Sequence, residues 1–156
     1  MKLFLSVVFL AFCLTKVSAA KIKEYKFHWA NKCIDADIYN PAWMKPIKLE
    51  TCDNDKHQFM IRLEDNNVAE IRRGNACLDY HGTIVWLYQC HGKKTYQAWH
   101  YNPETHQFRN EVYPKKCLAI SKDQKTFLME DCNESCLRQK LKLPDSADFS
   151  DYDRIA

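Results

Sequence analysis

Short runs of alternating or β-branched apolar residues recur along the chain, and clusters of Asn, Asp, Gly, Pro and Lys separate them. Such runs are typical of β-strands, because successive side chains of a strand point to opposite faces of its sheet. No window of a dozen residues carries a sustained helical stripe of apolar positions. The pattern therefore predicts an all-β fold with strands at Tyr25–Trp29, Ile47–Thr51, Thr83–Gln89, Trp99–Tyr101 and Thr126–Met129.

Three landmarks recur in one order with a period of about 40 residues. Each unit has a first cysteine, a second cysteine and then a polar-x-apolar triplet. The first cysteines are Cys33, Cys77 and Cys117, the second cysteines are Cys52, Cys90 and Cys132, and the triplets end at Phe59, Trp99 and Leu141. A repeat of this length indicates similar units around one core, in which the last residues of the triplets are equivalent buried positions.

Pairing the two cysteines of each unit closes loops of 19, 13 and 15 residues. On the chain-entropy model, each closure stabilises the fold by about 3 kcal/mol. Cys136 is left over, and it either links two chains, competes with Cys132 for Cys117, or remains a buried free thiol. Asn133 opens an Asn-Glu-Ser sequence, which predicts a glycosylation site beside Cys136.

Residues 1–20 have the layout of a secretory signal peptide, with an early lysine, an apolar run over Leu3–Leu14 and small residues up to Ala20. The apolar run is too short for a membrane-spanning helix. We therefore expect a secreted, extracellular protein whose disulfides form in an oxidising compartment. Its folded body is expected over 21–144, followed by an acidic, disordered tail over 145–156.

The charge balance argues against a nucleic-acid partner. The formal net charge is +3 for the whole chain and +1 once Lys2 and Lys16 are removed with the signal peptide. A nucleic-acid-binding domain usually carries a much stronger basic footprint. No second apolar run of spanning length follows, so membrane insertion is not expected either.

The middle unit carries the most specific pattern, which is Cys77-Leu78-Asp79, an apolar strand, Cys90-His91-Gly92 and Gln97-Ala98-Trp99. This pattern resembles the ricin-type carbohydrate-binding modules. It is most similar to the lectin domain of polypeptide N-acetylgalactosaminyltransferases, and it also resembles the cysteine-rich domain of the mannose receptor group. The resemblance runs from about Tyr25 to Leu143. It implies a disulfide-stabilised β-trefoil with one potential sugar pocket per unit.

By this resemblance, five residues of the middle unit make up the predicted sugar site: Asp79, Tyr88, His91, Tyr96 and Gln97. Asp79 stands where the family places a carboxylate, which accepts charge-assisted hydrogen bonds from adjacent sugar hydroxyls. Tyr88, two residues before the second cysteine, stands at the position of the aromatic ring that packs against the apolar face of the sugar. His91 matches a donor at the rim, and Gln97 matches a structural partner that orients the loop and Asp79.

Other positions depart from the family pattern. Tyr96 stands where the family usually has an asparagine that contributes to sugar binding, and a phenol is a much bulkier donor. The first unit keeps Asp35 but has His57 in place of the glutamine, so these two residues make a weaker second site. The third unit has Ala119 in place of the aspartate and Glu130 in place of the aromatic residue, and we expect it to be structural only.

No residue pattern suggests catalysis, a metal or a cofactor. The sequence has only three glycines and no Gly-rich phosphate loop, and no nucleophile and base occur at a recognisable spacing. None of the six histidines forms a pair at metal-ligand spacing such as His-x-x-x-His. We therefore expect a protein that is not an enzyme and uses no cofactor.

The implied function is recognition of galactose- or N-acetylgalactosamine-type glycans, free or on glycoproteins, through the middle unit. A rival interpretation is a degenerate trefoil scaffold that binds a protein partner without sugar, as an inhibitor, a receptor ligand or a secreted effector. The likeness to the mannose receptor group adds sulfated sugars as a third possibility, which the mildly basic body permits.

Overall fold

The structure is a computed structural model of the 156-residue chain. The described residues are 21–29, 31–35, 47–52, 59–92 and 95–143. The predicted signal peptide over 1–20, the acidic tail over 145–156 and His57 lie outside them. Asp35 is described in its backbone, as the last residue of a strand, but not in its side chain.

Eleven strands and one short 3₁₀ helix, Leu137–Gln139, make up the described part of the chain. The strands are β1 (Ile22–Lys26), β2 (Lys32–Asp35), β3 (Lys48–Thr51), β4 (Met60–Glu64), β5 (Val68–Arg73), β6 (Ala76–Tyr80), β7 (Val85–Gln89), β8 (Trp99–Asn102), β9 (Gln107–Asn110), β10 (Lys116–Ile120) and β11 (Phe127–Asp131). All of their pairings are antiparallel, and nine strands share one sheet while β2 pairs with β3. The predicted all-β fold class is confirmed.

Each unit contributes one hairpin, and the three hairpins β2–β3, β6–β7 and β10–β11 share one register. In each hairpin the first cysteine lies opposite the residue two positions before the second cysteine, which gives the pairs Cys33 with Glu50, Cys77 with Tyr88 and Cys117 with Glu130. This register brings the second cysteine next to the first across the hairpin. The same geometric relation therefore holds in all three units.

The three predicted disulfides are confirmed. In chain order, their Cα–Cα distances are 5.0, 5.0 and 4.9 Å, within the usual range for a disulfide. Cys136 has a free thiol and is half-buried. Since Cys117 pairs with Cys132, competition by Cys136 for Cys117 is not observed.

One hydrophobic core includes buried side chains from all three hairpins. The predicted equivalent positions Phe59, Trp99 and Leu141 are all buried, at 1, 0 and 2% exposure. The indole of Trp99 donates a hydrogen bond to the carbonyl of Leu78 at 3.2 Å, which ties β8 to the hairpin of the same unit. Burying side chains of this size supplies most of the stabilisation of a small domain.

The hairpins of different units also support one another. The backbone N–H of Ile47 donates to the carbonyl of Val85, and that of Leu49 donates to the carbonyl of Lys125. The hydroxyl of Thr126 donates to the carbonyl of Ile47. These bonds connect β3 to the regions of β7 and β11, so the three hairpins meet on one side of the molecule.

The first predicted strand is displaced. The pattern predicts it at Tyr25–Trp29, but β1 covers Ile22–Lys26 and Trp29 makes only an isolated bridge with Lys32. The reason is the turn at Asn31, whose φ of 57° reverses the chain immediately after Trp29. The apolar alternation extends beyond the end of β1 because the side chains of Phe27 and Trp29 are buried in the core without belonging to a strand.

Candidate functional site

The middle hairpin holds a buried carboxylate. Asp79 on β6 is 3% exposed and lies opposite Trp86 on β7. One carboxylate oxygen, Oδ1, accepts a hydrogen bond from the indole Nε1 of Trp86 at 3.1 Å. The other, Oδ2, accepts one from Nε2 of Gln97 at 3.0 Å and lies 3.4 Å from Nε2 of His91. A carboxylate offers about four acceptor positions, so these three donors leave capacity for a ligand hydroxyl.

Gln97 links Asp79 to the loop that follows β7. Its side chain is fully buried, and Nε2 donates both to Asp79 and to the carbonyl of Gln89, at 3.0 and 2.9 Å. Its Oε1 accepts the backbone N–H of His91 at 3.0 Å. A buried amide with both ends bonded has one fixed orientation. Gln97 thus fixes the position of the Asp79 carboxylate relative to the start of the loop.

Tyr88 and His91 form the solvent-facing part of the site. Tyr88 is 41% exposed, and its ring lies edge-on to that of His91 with centroids 6.1 Å apart. The hydroxyl of Thr95 lies 3.2 Å from Nδ1 of His91, which fixes the orientation of the imidazole. An exposed phenol ring beside a buried carboxylate presents an apolar face and an acceptor together, and this combination suits a pyranose.

Tyr96 belongs to a different group of side chains. Its ring contacts that of His81, with centroids 4.2 Å apart, and stacks at 6.2 Å on that of Tyr113. Its backbone carbonyl accepts bonds from the N–H of Tyr80 and from Nδ2 of Asn110. The structure therefore brings together Asp79, Tyr88, His91 and Gln97, and it places the Tyr96 ring beside them rather than among them.

Tyr80 lies beneath this second group and is almost fully buried. Burial raises the pKa of its phenol above the usual value, while the positive charge of Lys116 acts in the opposite direction. Its ring meets that of Tyr113 edge-on at 5.2 Å. The neutral phenol therefore serves as packing under the aromatic group.

The third unit repeats the scaffold of the middle site without its chemistry. Gln139 is the equivalent of Gln97, since its Nε2 donates to the carbonyl of Asp131 and its Oε1 accepts the N–H of Asn133. The carboxylate is replaced by Ala119, which is fully buried. Glu130 stands where Tyr88 stands in the middle unit, and Arg138 binds both of its carboxylate oxygens at 2.9 Å. This ion pair occupies the position of the exposed ring.

The weaker second site stays a prediction. Asp35 occupies the register position of Asp79, and Lys48 lies opposite it where Trp86 lies in the middle unit. His57 is outside the described residues, so the meeting of these two side chains is not observed.

Sequence reasoning missed Trp86 and Thr95. Trp86 carries one of the three donors on Asp79, and Thr95 orients His91. A signal for Trp86 was present, because the disulfide register of a hairpin places the residue four positions before the second cysteine opposite the aspartate. No comparable signal existed for Thr95, whose contact depends on the shape of the loop.

His28, Cys33 and Cys52 bring three potential metal-ligating atoms within 4.8 Å of one another. The two sulfur atoms are joined in a disulfide, whereas a metal ligand must be a thiolate. We therefore assign no metal site to this group. Separately, the described part of the chain contains no helix with the length and apolar character needed to cross a membrane.

Residues 21–141 match the family model of the ricin-type beta-trefoil lectin domain. A Drosophila melanogaster protein named as a putative polypeptide N-acetylgalactosaminyltransferase 9 is 44% identical over 111 residues, which cover 71% of this chain and 17% of that protein. Polypeptide N-acetylgalactosaminyltransferase 8 of the same species is 36% identical over 80 residues, which cover 48% of this chain and 13% of that protein. The chain thus spans less than a fifth of the length of these relatives.

Solved structures show the same fold. The crystal structure of GalNAc-T7 with UDP, GalNAc and Mn2+ superposes with a TM-score of 0.60 at 18% identity, covering 78% of this chain and 22% of that chain. A mosquitocidal holotoxin gives a TM-score of 0.61 at 18% identity, covering 78% of this chain and 17% of that chain. The predicted β-trefoil is thereby confirmed. With its three disulfide-closed units and the match over residues 21–141, this chain belongs to the ricin-type beta-trefoil lectin domain family.

Proposed function

We propose that this chain is a lectin that binds galactose- or N-acetylgalactosamine-type glycans through its middle unit. Domains of this family are non-catalytic carbohydrate-binding modules. The Drosophila relatives are named for N-acetylgalactosamine transfer, and the GalNAc-T7 structure was determined with GalNAc present. These relatives support the class of sugar, and the chemistry of the middle unit supports that unit as the binding site.

The observation that carries the proposal is the contrast between equivalent positions. The middle unit combines a buried carboxylate, Asp79, with an exposed ring, Tyr88. At the same positions the third unit has the methyl group of Ala119 and the ion-paired Glu130. Both units keep the buried glutamine, so the frame is common and only the groups that contact a sugar differ.

In this proposal each group has a role. The acceptor capacity left on the carboxylate of Asp79 takes a hydrogen bond from a sugar hydroxyl, and such charge-assisted bonds are about twice as strong as neutral ones. The ring of Tyr88 packs against the apolar C–H face of the sugar, and the imidazole of His91 closes the rim. A monosaccharide has few atoms to bury, so one pocket gives weak binding, which a dense glycan target strengthens through multivalency.

A glycan array tests this proposal, using the mature protein beside Asp79→Asn and Tyr88→Ala. Asp79→Asn should abolish binding, because the asparagine loses the charge and turns an N–H₂ group toward one of the donors from which Asp79 now accepts. Tyr88→Ala should weaken binding by about tenfold through loss of the stacking surface. Leu128→Ala is the matched control, since Leu128 lies on β11 of the third unit and is 40% exposed, close to the 41% of Tyr88.

Two results would contradict the proposal. One is the absence of glycan binding by the folded native protein at high density on the array. The other is equal binding by the native protein and a folded Asp79→Asn variant. The first result would favour the scaffold interpretation, and a protein partner that survives deglycosylation would then be the next object of search.

We also propose that the protein is exported, on the basis of the signal-peptide layout over residues 1–20. Three disulfides in the folded body suit an oxidising compartment. Expression of the full chain in secretory cells should yield protein in the medium that begins at Ala20 or Lys21 by intact mass. Retention inside the cell with Met1 still present would contradict export. The same mass spectrum reports whether Asn133, which is exposed, carries a glycan.

The predicted dimer remains a proposal as well. The thiol of Cys136 is free and Cys136 is only half-buried, which leaves a disulfide between two chains open. Such a dimer would present two middle units and raise avidity for a glycan surface. Non-reducing electrophoresis of the native protein should show a dimer band that is absent from the Cys136→Ser variant. A native protein that runs only as a monomer would contradict the proposed dimer.

A further inference from the structure

Three aromatic side chains form a row beside the middle site, and we name it the aromatic ridge: His81, Tyr96 and Tyr113. The rings of His81 and Tyr96 lie 4.2 Å apart between centroids, and those of Tyr96 and Tyr113 lie 6.2 Å apart and are inclined by only 28°. His81 is exposed, and the two tyrosines are half-buried. The ridge is therefore packed on one side and open to solvent on the other.

The ridge is fixed in position by its surroundings. The ring of Tyr113 packs edge-on against the buried Tyr80. Gly82, whose φ is 86°, lies so close that a Cβ atom there would be 2.7 Å from the Tyr113 hydroxyl. The side chain of Asn110 accepts the backbone N–H of Tyr113 and donates to the carbonyl of Tyr96. A surface held this way loses little conformational entropy when it binds a ligand.

The ridge and the proposed sugar pocket are built on the same two segments of the chain. His81 follows Asp79 by two residues, and Tyr96 directly precedes Gln97, whose amide donates to Asp79. The N–H of Tyr80 donates to the carbonyl of Tyr96, which holds the two segments side by side. Since residues two apart in an extended segment lie on the same side, a group that extends from a sugar bound at Asp79 toward His81 would approach the ridge.

The polar atoms of the ridge are not used by the fold. Within the described residues, the hydroxyls of Tyr96 and Tyr113 and the ring nitrogens of His81 form no hydrogen bond to protein. These groups combine apolar ring faces with donors and acceptors at their edges. That combination suits a pyranose, which has an apolar C–H face and a rim of hydroxyls. We take a neutral sugar as the ligand to test.

From this placement we propose that the aromatic ridge is a second subsite, which binds the neighbouring sugar of a glycan whose first sugar occupies the pocket at Asp79. This inference rests on the proposed function and deepens it, because it makes the preferred ligand an oligosaccharide of at least two units. It also gives a binding role to Tyr96, whose ring lies beside the group around Asp79 rather than within it.

Calorimetric titration with defined sugars tests the subsite. The native protein is titrated with the methyl glycosides of galactose and N-acetylgalactosamine, and with disaccharides that carry these sugars at the end in several linkages. At least one disaccharide should bind about fivefold or more tightly than its monosaccharide, as expected for one added ring contact. His81→Ala should remove this gain and leave monosaccharide binding unchanged. His81→Phe keeps a ring at this position and should retain most of the gain.

The possible outcomes distinguish failure of the subsite proposal from failure of the proposed pocket at Asp79. Monosaccharide binding without any gain for the disaccharides would overturn the subsite and leave the proposed function intact. A gain that survives in His81→Ala would also overturn it. Absence of binding to every sugar, by a protein shown to be folded, would overturn both proposals together. Because His81 is exposed and lies outside the strands, folding of its variants is not at risk.

Discussion

Replacing Gln97 by alanine is expected to lower the free energy of unfolding by about 3 kcal/mol and to abolish sugar binding. Gln97 is fully buried, and its amide serves Asp79, the carbonyl of Gln89 and the N–H of His91 at once. Truncation removes one hydrogen-bond partner from each of these three groups, and the cavity left by a fully buried side chain adds to the cost. Urea denaturation gives the stability change, and sugar titration gives the loss of binding.

Gln139→Ala is the matched control for this prediction. Gln139 is 1% exposed and makes the equivalent bonds to Asp131 and Asn133 in the third unit. Its loss should destabilise the protein by a similar amount and leave sugar binding within about twofold of the native value, since additive effects are the rule for distant sites. Equal loss of binding in the two variants, measured where both are folded, would contradict the assignment of binding to the middle unit.

Removal of the Cys77–Cys90 disulfide, by alanine at both positions, should cost about 3 kcal/mol of unfolding free energy. The bond closes a loop of 13 residues and holds β6 and β7 in the register that places Tyr88 opposite Cys77. Without it, the hairpin that carries Asp79 and Tyr88 is less preorganised, and sugar affinity should fall by about tenfold. Chemical denaturation and titration at low temperature, where the variant is folded, measure the two effects.

The Cys117–Cys132 disulfide provides the comparison. It closes a loop of 15 residues in the third unit, so its removal should have a similar effect on stability. Its hairpin carries Ala119 and Glu130 in place of the sugar-contacting groups, and binding should therefore be retained. Loss of sugar binding in this variant but not in the variant without Cys77–Cys90 would reverse our assignment of the two units.

The sequence predicts much of this fold because the cysteines fix register. A disulfide between two antiparallel strands determines which residues face each other, so the positions of Asp79 and Tyr88 follow from the spacing of Cys77 and Cys90. The core positions were equally predictable from the sequence, since Trp99 and its equivalents stand at the same place in each repeat. These features depend on contacts within a unit, which local spacing describes.

Other features depend on contacts that the spacing does not describe. The ring of Tyr96 stacks on that of Tyr113, and its backbone carbonyl accepts a bond from the side chain of Asn110; both residues follow Tyr96 by more than a dozen positions. The ion pair between Arg138 and Glu130 in the third unit depends on the short 3₁₀ helix, Leu137–Gln139, which no periodicity indicated. Side-chain orientation in loops is set by tertiary packing, and a residue pattern does not report it.

The central claim is that, of the middle and third units, only the middle unit binds sugar. Side-chain NMR tests this claim most directly. The indole N–H of Trp86 and the amide of Gln97 both point at Asp79, and the amide of Gln139 is the matched reporter in the third unit. Addition of galactose or N-acetylgalactosamine should move the Trp86 and Gln97 signals along a saturating curve and leave the Gln139 signal in place. Signals that stay unchanged at high sugar concentration, or a shift confined to Gln139, would contradict the account.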